Sequence, residues 1–91
     1  LLDGTTTVVG GVIENIRKII AKNGKEMAFV CLADFNDKIE VVFFGDVFEK
    51  YKDILEPENC IACRGRISYR QGEANLIAEQ IKKLEIKQKD N

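Results

Sequence analysis

Strand-forming residues occupy almost the whole of this sequence, and a single segment departs from that pattern. Runs rich in β-branched and aromatic residues, separated by turn residues, predict β-strands. The predicted strands cover residues 5–20, 27–33, 39–44, 60–70 and 74–84. Between residues 45 and 55 the apolar side chains instead follow the spacing of an amphipathic helix. The predicted order is therefore three strands, one helix and two strands.

Glycine and polar residues mark the predicted bends and turns. Gly10-Gly11 inside the first strand predicts a sharp bend, which would let one long strand serve both halves of a small barrel. Lys22-Asn23-Gly24-Lys25 predicts a hairpin, because Asn and Gly both tolerate positive φ. Residues 34–38 and 71–73 are rich in turn formers and predict two further strand connections.

The predicted helix carries its own start and stop signals. Asp46 is predicted to cap the helix, and Glu49 three residues later completes a capping box. Glu56-Pro57 ends it, because the residue before a proline is pushed out of the helical region. The aromatic side chains expected to pack inside the molecule are Phe43, Phe48, Tyr51 and, beneath the helix start, Phe44.

This order of elements predicts the fold class, which is all-β with one helix. Five strands in the order β-β-β-α-β-β, with the helix closing the bottom of a barrel, match the five-stranded Greek-key barrel of the OB fold. An SH3-like barrel would not place such a helix between the third and fourth strands, and a meander sheet with one packed helix is the remaining alternative. We expect a linker or fragment end at 1–4, the OB-fold domain at 5–84 and a charged tail at 85–91.

The charge of the chain is nearly balanced in sum but segregated along the sequence. The formal net charge is −1, whereas free-standing nucleic-acid binders are usually basic. Residues 17–25 hold four bases and no acid, and residues 60–70 hold three arginines and no acid. Residues 45–59 hold five acids and two lysines. Such segregation predicts a positive face on a molecule whose total charge is slightly negative.

The composition excludes several classes of function. With three cysteines and no histidine, the chain lacks both a disulfide framework and the commonest general base, so no catalytic site is predicted. Cys60 and Cys63 have CxxC spacing, but on a strand they point to opposite faces, so core packing is expected and no metal or cofactor. The sequence begins at Leu1 without a signal-peptide pattern and has no apolar run that could cross a bilayer. We expect a piece of a longer cytoplasmic protein with no membrane contact.

The second and third strands hold the candidate stacking residues. OB barrels bind single strands or unpaired bases on this face and at the loops between strands 1-2 and 4-5. Glu40 must face water, so Val42 shares its outer side. We place Phe29 on the same side as a stacking platform. Because both faces of its strand are apolar, packing of Phe29 in the core is the alternative.

The candidate phosphate contacts are basic residues near that face. Lys22 and Lys25 lie in the predicted first turn, with Arg17 beside it on the first strand. Arg64 and Arg66 alternate with inward residues on the fourth strand. Basic side chains in these positions can contact the phosphate backbone. The alternative is that they are solvated surface charges, which is the ordinary role of Lys and Arg. Glu40 and Glu73 near the same face would repel phosphate, so weak binding is expected.

Several segments resemble a known family. Met27-Ala-Phe-Val-Cys-Leu-Ala-Asp34 leads into Glu40-Val-Val-Phe43 and then Phe48-Glu-Lys-Tyr51. With neighbouring matches over about residues 5–84, the chain is similar to the OB domain of the bacterial DNA polymerase III alpha subunit. The resemblance implies a module that binds single-stranded DNA and holds the template strand near the polymerase. The parent would be a DNA-directed DNA polymerase, a nucleotidyltransferase whose catalytic carboxylates belong to other domains.

The resemblance also implies the partners, which are single-stranded DNA and the other domains of the parent polymerase, and the isolated fragment is expected to be monomeric. One alternative is the tRNA anticodon-binding domain of class II aminoacyl-tRNA synthetases, in which a phenylalanine matching Phe29 stacks on a base. Ala33 and Glu40 stand where that family usually has arginine and glutamine. The other alternative is a protein-docking barrel without nucleic-acid binding, which the net charge favours.

Overall fold

The computed structural model describes residues 3–34 and 36–85, and the predicted elements occur in the predicted order. They are β1 (Thr6–Ile20), β2 (Glu26–Ala33), β3 (Lys38–Phe43), α1 (Gly45–Tyr51), β4 (Cys60–Arg70) and β5 (Glu73–Lys83). The predicted tail at 85–91 lies, apart from Glu85, outside the described residues, as do the first two residues of the segment 1–4.

The five strands form one closed barrel in the order β1-β2-β3-β5-β4. All neighbouring strands pair antiparallel except β3 and β5, which run parallel through Glu40–Val42 and Asn75–Ile77. This parallel contact closes the barrel and brings the start of β5 beside the middle of β3. The arrangement confirms the predicted OB-fold barrel.

The long first strand serves both halves of the barrel, as predicted. Residues 6–12 of β1 pair with β4, and residues 12–20 pair with β2. The change of partner follows Gly11, where a Cβ atom would overlap the carbonyl oxygen of Ala33. Glycine is therefore required at this crossing because any side chain would collide with the backbone of β2.

The turn between β1 and β2 confirms the predicted hairpin. The Gly24 N–H donates to the carbonyl of Ala21 (2.9 Å), and the Lys25 N–H donates to Oδ1 of Asn23 (3.0 Å). Gly24 has a φ of +83°, and Asn23 is not in the positive region. A type I′ two-residue turn has positive φ at both of its residues. A single residue with positive φ at the end of the loop, as here, is typical of a slightly longer hairpin loop.

The hydrophobic core fills the barrel, and α1 covers one end of it. Phe43 and Phe48 are fully buried and Tyr51 packs against the core, as predicted. The other core side chains are Ile13, Ala28, Val30, Leu32, Val41, Leu55, Ile61, Cys63, Ile67, Leu76, Ala78 and Ile81.

The helix differs from its prediction at both ends. It ends at Tyr51 rather than 55, because the Ile54 N–H donates to the carbonyl of Tyr51 in a tighter turn (2.9 Å). The predicted capping box was wrong: Phe44 is the N-cap and no side chain caps the helix. The Asp46 carboxylate instead lies 3.3 Å from the ammonium of Lys25.

Candidate nucleic-acid interface

One groove on the barrel surface collects side chains from all five strands. Its volume is about 640 Å³. The residues that line it, called the groove below, are Arg17, Met27, Phe29, Glu40, Val42, Phe44, Ser68, Arg70, Asn75 and Ile77. The sequence-predicted residues Phe29, Val42 and Arg17 therefore meet in one place.

Strand register explains how these side chains come together. Phe29 lies opposite Arg17 on β1 and opposite Val42 on β3. Val42 in turn lies opposite Ile77 on β5. Because paired residues point to the same face of a sheet, Phe29, Val42 and Ile77 form an apolar row across three neighbouring strands.

The floor of the groove is apolar and partly accessible. Val42 and Met27 are 5% and 8% exposed, and Phe29 and Ile77 are half-buried. Phe44 is 50% exposed, which corrects its predicted position beneath the helix. As the N-cap it has an extended backbone whose carbonyl accepts from the Phe48 N–H (2.9 Å), while its side chain lines the groove.

Two arginines and one glutamate supply the charge of the groove. The guanidinium of Arg17 lies over the ring of Phe29, 4.8 Å from its centroid. Neither Arg17 nor Arg70 forms an ion pair with another residue in the described ranges. With Glu40 included, the groove has a net charge of +1 from two arginines and one carboxylate. The arrangement can hold a flat apolar group and an anion side by side.

Comparison with known families decides the kind of domain. A family model for the OB-fold nucleic acid binding domain matches residues 7–84. The chain belongs to this family. It is 35% identical over 78 residues to DNA polymerase III subunit alpha of Saccharopolyspora erythraea, a match that covers 86% of this chain. The chain spans 6% of the length of that relative.

Solved structures share the same barrel. Asparaginyl-tRNA synthetase from Pyrococcus horikoshii superposes with a TM-score of 0.75 at 22% identity, covering 91% of this chain and 20% of that one. A mitochondrial single-stranded DNA binding protein from S. cerevisiae superposes with a TM-score of 0.73 at 10% identity, covering 91% and 97%. At such identities the likeness shows the fold alone.

Of the two lysines that the sequence of this OB domain predicted at the first turn, Lys25 lies beside the groove. Lys22 is exposed on the turn. Lys25 lines a second depression of about 340 Å³, which shares Met27 and Phe44 with the groove. Its ion pair with Asp46 leaves the Lys25 side chain 60% exposed, so that the ammonium can exchange this partner for an incoming anion.

The two arginines predicted on β4 do not line the groove. Arg66 lies opposite Ile77 at the end of the apolar row, and its Nε is 3.2 Å from the Glu79 carboxylate. Arg64 lines a separate depression with Val8 and Gln80, which has no lining residue in common with the groove. Both are exposed, as predicted, but Arg64 faces a different part of the OB domain.

Sequence reasoning missed three polar groove residues, Ser68, Arg70 and Asn75. The signal for the first two was present, since Ser68 and Arg70 share the outward parity of Arg64 on β4. The length of β4 places Ser68 and Arg70 in the groove. Strand β4 pairs with β1 only through residues 60–66, so residues 67–70 extend past the end of β1 and pair with β5 alone.

The cysteines are divided between the core and the surface layer. Cys63 is fully buried, and burial raises the pKa of its thiol to about 12, with a smaller contribution from the Glu79 charge. Cys31 and Cys60 are half-buried.

In the described part of the chain no cluster of three or more His, Cys, Asp or Glu residues could hold a metal ion. No helix there is long and apolar enough to span a membrane.

Proposed function

We propose that this OB domain binds single-stranded DNA in the groove. The observation that carries the proposal is the apolar row of Phe29, Val42 and Ile77, in a groove that also holds two arginines without ion-pair partners in the described ranges. Family membership supports nucleic acid as the ligand class. The choice of a DNA single strand rests on the shape of the row and on the polymerase relatives.

The apolar row favours an unpaired strand over a duplex. Base faces are hidden inside a duplex and exposed in a single strand, where they stack on aromatic side chains. Three neighbouring strands span about 10 Å, which leaves room for a base on Phe29 and a neighbour toward Ile77. The Arg17 guanidinium lies over the ring of Phe29, so that one face of the ring accommodates a planar cationic group.

The basic residues would hold the phosphate backbone on both sides of the row. Arg17 and Arg70 stand in the groove itself, and Lys22 and Lys25 stand at the adjoining turn. Arg66 can take part after release from Glu79. In this proposal Arg64 contacts phosphate only where the bound DNA strand continues around the barrel beyond the groove.

The sequence match supports a role in replication. We propose that the parent is a cytoplasmic bacterial DNA-directed DNA polymerase, a nucleotidyltransferase related to DNA polymerase III alpha subunits, and that this domain holds the template strand. The catalytic groups and their metal ions would then belong to other domains of the same parent. This domain needs no cofactor for the binding proposed here.

Fluorescence anisotropy of a labelled single-stranded DNA, titrated with this domain, tests the proposal. Matched duplex DNA and a tRNA-like hairpin are titrated in parallel at low and moderate salt. We expect the single strand to bind most tightly and to weaken as salt rises, because phosphate contacts release counterions. Preferred binding of the hairpin would favour an anticodon-type domain, and no binding of any of the three would contradict the proposal.

A matched pair of arginine variants locates the site. Arg70→Ala removes a groove arginine, and Arg64→Ala removes an exposed arginine of the same strand outside the groove. We expect the loss of affinity for the single strand to be larger for Arg70→Ala. Equal losses would show that the strand contacts β4 along its whole outer side.

A further inference from the structure

An acidic side chain stands in the groove without a partner among the residues that the structure describes. Glu40 is exposed, and within the described ranges its carboxylate forms neither an ion pair nor a hydrogen bond. Two other acidic groups near basic side chains are paired, since Glu14 lies 3.0 Å from Lys38 and Glu79 lies 3.2 Å from Arg66. A free carboxylate disfavours phosphate, so its position in a nucleic-acid groove calls for a different role.

The register places Glu40 beside the stacking platform. Glu40 is two residues from Val42 on β3, and Val42 is the direct partner of Phe29. Diagonal neighbours of this kind lie about 7–8 Å apart, within reach of aromatic and long side chains. A base stacked on Phe29 with its edge toward Glu40 would meet the carboxylate oxygens there.

The chemistry of a carboxylate selects among base edges. An ionised carboxylate only accepts hydrogen bonds, and it has two oxygens in one plane. Guanine is the base that offers two adjacent donors, N1–H and the 2-amino group, on its Watson–Crick edge. Adenine and cytosine offer one donor next to an acceptor, and thymine offers one donor between two acceptors. Hydrogen bonds to an ionised acceptor are also stronger than neutral ones.

We propose that Glu40 makes the groove selective for guanine, accepting hydrogen bonds from N1–H and the 2-amino group of a base stacked on Phe29. Asn75, paired with Glu40 across β3 and β5, also lines the groove and can bond the remaining polar atoms of that base. This inference rests on the proposed function, since it requires that single strands bind in the groove.

The test uses short thymidine pentanucleotides with a single central base that is guanine, inosine, adenine or thymine. Inosine keeps N1–H and lacks the 2-amino group. Binding is followed by titration of the ¹⁵N-labelled domain, which detects weak complexes. We expect guanine to bind about tenfold more tightly than thymine, with inosine in between and adenine close to thymine.

Two variants separate base reading from simple charge. Glu40→Gln keeps the side-chain shape and offers one donor and one acceptor, a pattern that suits adenine. We expect it to abolish the guanine preference while the thymidine pentanucleotide binds at least as well as before. Glu73→Gln removes the same charge from an exposed residue that lies opposite Arg70 but does not line the groove, and it should leave the guanine preference intact.

The outcomes distinguish guanine selection by Glu40 from single-strand binding in the groove. Equal binding of all four pentanucleotides, or a guanine preference that survives in Glu40→Gln, would overturn the guanine role and leave single-strand binding in place. Absence of binding to the pentanucleotides and to longer single strands would overturn both.

Discussion

At the residue scale, the ring of Phe29 carries most of the proposed binding. It is half-buried, paired with Val42 across the sheet and covered on one side by the Arg17 guanidinium. Phe43, by contrast, is fully enclosed in the core. The ring is therefore held in place by its neighbours and still accessible to a base.

Replacement of Phe29 by alanine is expected to weaken single-strand binding by about 1–3 kcal/mol, the usual contribution of an aromatic stacking contact. Phe29→Leu is the matched variant, because it keeps apolar bulk and lacks the flat ring. Anisotropy titrations give the affinities, and thermal unfolding confirms that both variants fold. Unchanged affinity in a folded Phe29→Ala variant would contradict the stacking role.

Cys63 gives a second residue-scale prediction, which concerns pH. Burial raises the pKa of its thiol to about 12, so the folded state keeps a proton that the unfolded state releases near the ordinary thiol pKa of 9.0. The resulting stability is fully present below pH 9 and is lost as pH rises toward 12. Urea unfolding of wild type and Cys63→Ala across this range measures the difference.

The wild-type protein should lose more stability than Cys63→Ala as the solution becomes alkaline. At pH 8, a thiol reagent should modify the half-buried Cys31 and Cys60 of the native protein before Cys63, and all three in urea. Rapid modification of Cys63 in the folded protein would show that its thiol is accessible and its pKa ordinary.

At the scale of elements, β1 depends on one of its two adjacent glycines. A Cβ atom on Gly11 would overlap the Ala33 carbonyl oxygen and lie 2.9 Å from its carbon. A Cβ atom on Gly10 would lie 3.7 Å from the carbonyl oxygen of Ile61, an ordinary contact. Of the two glycines that predicted the bend, Gly11 is therefore the one that is sterically required.

Gly11→Ala is expected to lower the free energy of unfolding by about 1–3 kcal/mol, because the methyl group forces β1 and β2 apart. The neighbouring control, Gly10→Ala, should change it by less than about 0.5 kcal/mol. Urea unfolding monitored by circular dichroism measures both. Similar effects of the two substitutions would show that the close approach at Gly11 relaxes without cost.

The elements also show what local pattern can and cannot predict. Strand and turn positions follow from residue types, so β4 was predicted with its observed bounds, Cys60–Arg70. The helix cap was mispredicted because the helix begins at Gly45, so that Asp46 lies inside the first turn and not at the N-cap position. The orientation of Phe29 was ambiguous because both faces of β2 are apolar, and only pairing with β1 and β3 resolves it.

At the scale of the whole molecule, closure of the barrel assembles the groove. The parallel pairing of β3 with β5 sets Asn75 and Ile77 beside Glu40 and Val42. The length of β4 beyond β1 brings Arg70 to the same place. The outward parity of β4 does not show which of its arginines lies beyond the end of β1, which is why Arg64 rather than Arg70 was predicted from the sequence.

The charge of the whole molecule predicts a modest salt dependence. The net charge is −1, yet Arg17 and Arg70 stand without ion-pair partners among the described residues, and two lysines lie nearby. Two to four phosphate contacts give a slope of log K against log salt between about −1.4 and −2.8 for a single strand. Anisotropy titrations at several salt concentrations measure the slope, and a value near zero would favour an apolar protein-docking face.

The most direct test of the groove as the DNA site is a titration of the ¹⁵N-labelled domain with a short single-stranded DNA, followed by backbone amide shifts. We expect the largest shifts in residues 27–31, 40–44, 68–70 and 75–77, which surround the groove. Residues near Arg64, Val8 and Gln80 should change little. Shifts that cluster around those three residues, or on the opposite face near Gly10 and Cys60, would contradict the account.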